Sequence, residues 1–289
     1  MVRLGANRYG KAEVRVVHVS RAAGPGGSDV VRDWNVSTAL SGELDGTHLT
    51  GDNSAVLATD TQKNTVYAFA HKLGGAEPEA FALELAAHYL GTQPAISRAR
   101  IAIQEYPWTP ISANGHSFAR AGQYTRTATV ITDADLGASV VGGIEDLVVL
   151  NTTGSEFWGF PRDEYTTLAD ARDRMLATTV TARWRLREPA GDWAATFDAA
   201  RAALLDAFTA PSKSLQQTLF GMGSAILGAV PGICEVRLVL PNKHHFVVDM
   251  DAFGIANENE VYYAADRPYG LIEGAVLADD APDAGIAWT

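Results

Sequence analysis

The stretch Leu176-Ala-Thr-Thr-Val-Thr-Ala-Arg-Trp-Arg-Leu186 is followed by Asp192-Trp-Ala-Ala-Thr-Phe197, and the spacing of the apolar residues changes between the two. The first stretch places most of its apolar side chains at alternate positions, which predicts a strand with one buried face. After Asp192, a candidate N-cap, apolar residues recur at helical spacing. The face of this helix that would contact the core carries Trp193, Phe197, Ala200, Leu204 and Phe208.

Toward the C-terminus, Pro211 ends this helix and Ser214 can cap a second one. The apolar face of the second helix would be Leu215, Leu219, Met222 and Ile226. Two strands are expected after it, at residues 234–240 and 244–250, and residues 278–289 are expected to form a poorly ordered acidic tail. The second half of the chain therefore combines strands with one pair of helices.

The first half repeats this order. One helix is predicted from Thr59 and Asp60, which can act as N-caps, and another over residues 78–90. The predicted strands of this half are residues 13–20, 30–40, 54–58, 95–106 and 122–132. Apart from the short strand at residues 54–58, each half is read as strand, strand, helix, helix, strand, strand. The pattern predicts an α+β protein with two domains, residues 1–135 and 136–289.

Composition limits the function. The chain has 289 residues, 47% of them hydrophobic, which is typical of a globular protein. A net charge of -11 argues against a nucleic-acid partner. No apolar run is long enough to cross a membrane, and no signal peptide or terminal Ser-Lys-Leu address is present. With Cys234 as the single cysteine, we expect a cytoplasmic protein.

Common catalytic and cofactor motifs are incomplete. Gly221-Met-Gly223 lacks the preceding strand of a dinucleotide-binding turn, and Gly115 to Ala119 is one residue short of a nucleophile elbow. His244 and His245 are adjacent, so on a strand they would point to opposite faces and could not share one metal ion. The sequence therefore predicts neither a metal nor an organic cofactor.

Four polar positions are not required by the fold: Lys11 before the first strand, Thr59-Asp60 and Ser214-Leu215-Gln216 at helix starts, and Asn242-Lys243-His244 at a strand end. Helix N-termini present free N–H groups and favour anions. Each position alone is explained more simply as a cap or a solvated side chain. Their occurrence together indicates a binding site for an anion.

Five blocks in order resemble the urate oxidase family over nearly the whole chain. They are Tyr9-Gly-Lys-Ala-Glu-Val-Arg15, Asp52-Asn-Ser-Ala-Val-Leu-Ala-Thr-Asp-Thr-Gln-Lys-Asn-Thr65, Ser155-Glu-Phe-Trp-Gly-Phe-Pro-Arg-Asp-Glu-Tyr-Thr-Thr-Leu168 with Asp173-Arg174 after it, Ser214-Leu-Gln-Gln-Thr-Leu219 and Leu240-Pro-Asn-Lys-His-His-Phe246. The resemblance implies the tunnelling fold, in which two tandem ββααββ units with antiparallel sheets assemble into a β-barrel oligomer.

The resemblance also implies a chemistry. A homotetramer would oxidise urate with dioxygen to 5-hydroxyisourate and hydrogen peroxide, without a cofactor and at sites shared between subunits. The residues that match the family's catalytic set are Lys11, Thr59 and His244. Those that match its substrate-binding set are Thr59, Asp60, Phe157, Arg174, Leu215, Gln216, Asn242 and Ile272.

The matching residues have distinct implied roles. Phe157 would stack on the planar purine, while Arg174 and Gln216 grip one edge and the N–H of Leu215 adds a hydrogen bond. Thr59 and Asp60 would come from the neighbouring subunit. The remaining residues are implied to act around the ring: Asn242 positions dioxygen or water, Ile272 forms an apolar wall, Lys11 handles a proton with Thr59, and His244 links Lys11 to solvent.

Two alternatives remain open at this stage. One is another tunnelling-fold enzyme that binds a purine or a pterin. A zinc-dependent member would need a Cys and His set that Cys234 alone can hardly supply. The other alternative is a non-catalytic purine-binding oligomer, which would keep Phe157, Arg174 and Gln216 but would not need Lys11.

Overall fold

The computed structural model describes residues 2–24, 26–265 and 267–289. The strands are β1 Val14–Ser20, β2 Val30–Gly42, β3 Ile96–Glu105, β4 Trp108–Pro110, β5 Phe118–Arg120, β6 Thr125–Asp133, β7 Gly137–Phe157, β8 Ala171–Leu186, β9 Ile233–Lys243, β10 His245–Val247, β11 Tyr262–Ala264 and β12 Gly270–Leu277. The α-helices are α1 Asp45–Leu49, α2 Thr59–Leu73, α3 Pro78–Thr92, α4 Trp193–Phe208 and α5 Leu215–Ala229.

Eight strands form one antiparallel sheet in the order β1-β2-β3-β6-β7-β8-β9-β12. The first four neighbours come from the first half of the chain and the last four from the second half. A tight turn between Asp133 and Gly137 joins β6 to β7. This is the predicted duplication of an antiparallel ββααββ unit. Because the sheet runs continuously through the turn, the division after residue 135 stays a prediction.

The helices supply the apolar layer that the sheet requires. Helix α3 packs mainly on β3 and β6, while α5 packs on α4 and, toward the sheet, on β9 and β12. Trp34 on β2 and Trp184 on β8 are among the largest fully buried side chains, and each packs on a helical phenylalanine, Phe81 and Phe197 respectively. The predicted apolar faces of α4 and α5 are confirmed, since all of their members except the half-buried Trp193 are buried.

Local cap chemistry explains where the second-half helices begin. The side chain of Asp192 accepts a hydrogen bond from the N–H of Ala195, and that of Ser214 accepts one from Gln217, as predicted. The cap predicted at Thr59 and Asp60 is wrong. Both residues are already helical, and Ala58 precedes them without a capping side chain.

The strand predicted at residues 54–58 is also wrong, because turn chemistry prevails there. The side chain of Asp52 accepts a hydrogen bond from the N–H of Ser54, and the N–H of Val56 donates to the carbonyl of Asn53. Residues 55–57 nevertheless pack partly buried against the core. The apolar residues therefore have the expected burial without a strand.

The second half contains two further departures. Strand β7 has 21 residues, and its bounds were not predicted from the sequence. It pairs with β8 through three register shifts, and Asp146 in its middle has a left-handed backbone conformation. The last strand of the sheet is β12 rather than residues 244–250. Of the latter, only β10 is a strand, and it pairs with β11 outside the main sheet.

The prediction that residues 278–289 are poorly ordered is wrong as well. Ile286 and Ala287 are buried, and the guanidinium of Arg237 lies 3.9 Å from the ring centroid of Trp288. The buried guanidinium of Arg185 donates to carbonyls within this tail. The apolar residues at its end, together with these arginines, hold residues 282–289 against the sheet.

Candidate active site

A cavity of about 520 Å³ brings seven of the predicted site residues together. They are Phe157, Arg174, Leu215, Gln216, Asn242, His244 and Ile272. All of the described residues that line this cavity belong to the second half of the chain. We call it the ring pocket.

The ring pocket forms where the ends of several strands approach the start of a helix. Phe157 is the last residue of β7 and pairs with Ala171 at the beginning of β8. Arg174 follows three residues later on β8. Asn242 lies near the end of β9, where it is opposite Gly270 of β12. Leu215 and Gln216 are the first residues of α5.

Arg174 is the main positive group of the ring pocket. Its guanidinium carbon lies 5.3 Å from the ring centroid of Phe157. The Nε atom is buried and has no hydrogen-bond partner, and no carboxylate pairs with this arginine among the described residues. Burial lowers the pKa of Arg174 from its ordinary value, but the group stays charged at neutral pH. An aromatic ring beside an unpaired guanidinium suits a planar anion.

The N-terminus of α5 adds hydrogen-bond donors. Ser214 and Gln217 satisfy the cap, because the Ser214 hydroxyl accepts from the N–H of Gln217 while the Gln217 side chain accepts from the N–H of Lys213. The N–H groups of Leu215 and Gln216 have no acceptor among the described residues. These two donors strengthen the preference of the ring pocket for an anion.

His244 lies in the same pocket. Burial lowers the pKa of His244, and the positive charge of Arg174 lowers it further. The ring is therefore neutral near pH 7, so one nitrogen carries a proton and the other can accept one. This is the state that a proton relay requires.

Lys11, Thr59 and Asp60 form a second group, in the first half of the chain. Thr59 and Asp60 begin α2, and Lys11 lies before β1. Lys11 is close enough to contribute to the lowered pKa of Asp60, for which the hydrogen bond from Lys63 is the main cause. None of the three lines the ring pocket, so the predicted link between Lys11 and His244 is not made within one chain.

Several lining residues were not singled out from the sequence. They are Leu168, Ala169, Ala171, Met175, His245 and Phe246. Leu168, His245 and Phe246 lie inside the quoted blocks, but nothing local indicates that they face the pocket.

No group of three or more His, Cys, Asp or Glu side chains in the described ranges is placed to hold a metal ion. No helix of that part of the chain has the length and apolar character of a membrane span.

The fold and the pocket are those of a tandem tunnelling-fold protein with a site suited to a planar anion. A family model described as uricase matches residues 7–131 and 140–273. The uricase of Arthrobacter globiformis is 48% identical over 274 residues, which cover 94% of this chain and 89% of that protein. The uricase of Dictyostelium discoideum is 39% identical over 283 residues, covering 96% and 98%. The chain belongs to the uricase family.

Solved structures agree with this assignment. The crystal structure of uricase from Arthrobacter globiformis matches with a TM-score of 0.95 at 45% identity and covers 100% of this chain and 99% of that one. A urate oxidase structure from Bacillus sp. TB-90 matches with a TM-score of 0.79 at 22% identity, covering 94% of this chain and 100% of that one. The second likeness shows only that the fold is shared.

Proposed function

We propose that this protein oxidises urate with dioxygen and water to 5-hydroxyisourate and hydrogen peroxide, without a metal ion or an organic cofactor. Family membership supports urate as the substrate. The observation that carries the proposal is the unpaired guanidinium of Arg174 beside the ring of Phe157. Urate is a planar, electron-rich anion, and these two side chains match its shape and charge.

Binding divides between stacking and edge recognition. Phe157 stacks on the purine, and Arg174 with Gln216 holds one polar edge. The N–H of Leu215 donates a further hydrogen bond, and Ile272 contacts the ring as an apolar wall. Asn242 positions dioxygen or water above the ring. Support for this arrangement comes from the presence of all these residues in one pocket of about 520 Å³.

The site is completed by a second subunit of a homotetramer, in which the sheets close into a β-barrel. Lys11, Thr59 and Asp60 of one chain approach the ring pocket of its neighbour, where Thr59 and Asp60 hold the opposite edge of the purine. The separation of the two groups in a single chain supports this division, since a site in which Lys11 meets His244 then needs two chains.

The chemistry uses the electrons of the substrate. Lys11 with Thr59 removes a proton from bound urate, and His244 passes protons between Lys11 and solvent. The resulting dianion is a better electron donor. It gives two electrons to dioxygen, which leaves as hydrogen peroxide, while the oxygen of water adds to the purine as the 5-hydroxyl group. Urate, dioxygen and water thus balance 5-hydroxyisourate and peroxide.

The decisive experiment follows urate by its ultraviolet absorbance in air and measures peroxide in the same sample. We expect urate loss, equal amounts of peroxide, and rates unchanged by chelators. A protein that binds urate without consuming it would be a purine-binding oligomer instead. Activity that a chelator abolishes and an added metal ion restores would contradict the cofactor-free chemistry.

The role of Lys11 has its own test. We expect Lys11→Met to lower turnover by about 10²-fold or more, with a smaller effect on anaerobic urate binding, because a proton-transfer group acts in the reaction step. Lys72→Met, at the other end of α2, is the matched control and should leave turnover unchanged. Turnover of Lys11→Met equal to that of the unaltered protein would contradict the assignment.

A further inference from the structure

The segment that carries Lys11 lies unusually close to β2. The N–H and carbonyl of Tyr9 exchange hydrogen bonds with Leu40, and the carbonyl of Lys11 accepts from the N–H of Thr38 at 2.9 Å. At Gly10 a Cβ atom would lie 1.8 Å from the carbonyl oxygen of Thr38, so only glycine permits this approach. The backbone around Lys11 is therefore fixed against one strand.

One backbone hydrogen bond of Lys11 goes to a side chain and not to the backbone. The N–H of Lys11 donates to the side-chain oxygen of Thr38, at 3.1 Å, rather than to a carbonyl. The Thr38 hydroxyl in turn donates to Oε1 of Gln62 at 2.7 Å. Both Thr38 and Gln62 are buried, with exposed fractions of 4% and 0%. Because Thr38 and Gln62 are buried and hydrogen-bonded to each other, the pair is held rigidly.

Gln62 connects this contact to the start of α2. Its Nε2 donates to the carbonyl of Leu57 at 3.2 Å, and its N–H donates to the carbonyl of Ala58 at 3.1 Å. Leu57 and Ala58 immediately precede Thr59. A continuous chain of hydrogen bonds thus runs from the backbone of Lys11 through two buried side chains to the segment that orients Thr59.

We propose that Thr38 and Gln62 are positioning residues that hold Lys11 in register with Thr59. The proposal rests on the function proposed above, in which these two groups transfer the proton. Both side chains are buried, and the Thr38 hydroxyl accepts from the N–H of Lys11, so we expect Thr38 to act on the reaction step through Lys11 more than on urate binding. A misplacement of about 1 Å can cost an enzyme as much as ~10²-fold in rate.

The first test is Thr38→Val, which keeps the shape and removes the hydroxyl. We expect kcat to fall about tenfold while the anaerobic dissociation constant of urate changes less than about twofold. Thr38→Ser keeps the hydroxyl and should retain most of kcat. Thr132→Val, which removes a buried hydroxyl without a partner among the described residues, is the matched control and should leave kcat unchanged.

A double variant separates positioning from a general structural effect. If Thr38 acts only through Lys11, Thr38→Val should cause no further loss of kcat in a Lys11→Met chain. Gln62→Met breaks the same hydrogen-bond chain from the other side and repeats the test should Thr38→Val not fold.

The results distinguish two failures. Full kcat in both Thr38→Val and Gln62→Met, with Lys11→Met impaired, would overturn the positioning role alone. Full kcat in Lys11→Met would overturn the proposed proton transfer and this inference with it. A further fall of kcat when Thr38→Val is added to Lys11→Met, or an equal loss of urate affinity, would also contradict positioning through Lys11.

Discussion

The ring of Phe160 lies parallel to the ring of Phe157, with centroids 5.0 Å apart and 10° between the planes. Phe157 lines the ring pocket and Phe160 does not, so Phe160 supports the Phe157 ring without belonging to the pocket lining. The guanidinium of Arg162 lies 4.9 Å from the Phe160 centroid and donates to the carbonyl of Leu168, which lines the pocket. The stack therefore holds the plane of the Phe157 ring, on which urate is proposed to rest.

Loss of this stack should weaken urate binding. Stacked aromatic pairs contribute about 0.5–1.5 kcal/mol beyond burial, and tenfold in affinity corresponds to about 1.4 kcal/mol. We expect Phe160→Ala to raise the anaerobic dissociation constant of urate about threefold to tenfold. Phe160→Tyr keeps the ring and is the control. Unchanged affinity in Phe160→Ala would show that Phe157 holds its plane without support.

Mixed oligomers test whether two chains share a site. Lys11→Met and Arg174→Gln chains should each be nearly inactive, but unfolding and reassembling them together should restore activity. By random pairing, roughly a quarter of the sites would combine an intact ring pocket with an intact Lys11. The control mixture is Lys11→Met with Thr59→Ala, which should stay inactive because both residues belong to the same group. No recovery in confirmed Lys11→Met and Arg174→Gln hybrids would contradict a shared site.

Much of the fold follows from local patterns in the sequence. Asp192 and Ser214 mark helix starts because a cap is a contact between neighbours in the chain. Thr59 has the same chemistry but does not cap, because the backbone becomes helical one residue earlier than the side chains indicate. The turn at Asp52 likewise depends on a hydrogen bond that competes with strand pairing.

The site was less accessible to local reasoning. Arg174 pairs with Ser155, and a register shift separates that pair from the pair of Phe157 with Ala171. The meeting of Phe157 with Arg174 therefore depends on register, which is a property of strand pairs. Phe160 and Leu168 lie between β7 and β8, so their positions depend on the same pairing. The resemblance in the quoted blocks predicts this site, because apolar spacing and caps indicate only an anion preference at the starts of α2 and α5.

A buried charge cluster predicts how stability depends on pH. Arg126 contacts Glu79 at 2.8 Å and Glu77 at 2.7 Å, and Glu105 lies 3.5 Å away. Burial raises the pKa of Glu79 to about 7 against the opposing charge of Arg126, with smaller contributions from the two other carboxylates. A carboxyl with a raised pKa in the folded state contributes stability at low pH, and that contribution is lost as pH rises from about 4.5 through about 7.

Glu79→Gln keeps the shape and removes this titration. The melting temperature of Glu79→Gln relative to the unaltered protein should therefore rise between pH 5 and pH 8. A pKa shift of this size corresponds to a change of up to ~3 kcal/mol in the free energy of unfolding, so we expect a rise of several degrees. Scanning fluorimetry at several pH values measures the difference. Glu84→Gln, on the exposed side of α3, should show a constant difference. A constant difference for Glu79→Gln as well would contradict the raised pKa.

The C-terminal residues provide a last prediction, on stability. The buried guanidinium of Arg185 donates to the carbonyls of Pro282 and Asp283, and Ile286 is 7% exposed. Removal of residues 282–289 would leave these donors without partners and uncover apolar surface. Burial of one aliphatic side chain contributes about 1.5–3 kcal/mol, and each unsatisfied buried donor costs about 1–3 kcal/mol.

We therefore expect truncation after residue 281 to lower the melting temperature by roughly 10 °C, at about 2–4 °C for each kcal/mol. The matched control is the double variant Asp279→Asn with Asp283→Asn, which reduces the acidity of the tail but keeps the backbone carbonyls that Arg185 contacts. It should melt within a few degrees of the unaltered protein. A truncated chain with an unchanged melting temperature would mean that the packing of Ile286 and the contacts of Arg185 contribute little to stability. An equal fall in the double variant would mean that the tail acts through its charge.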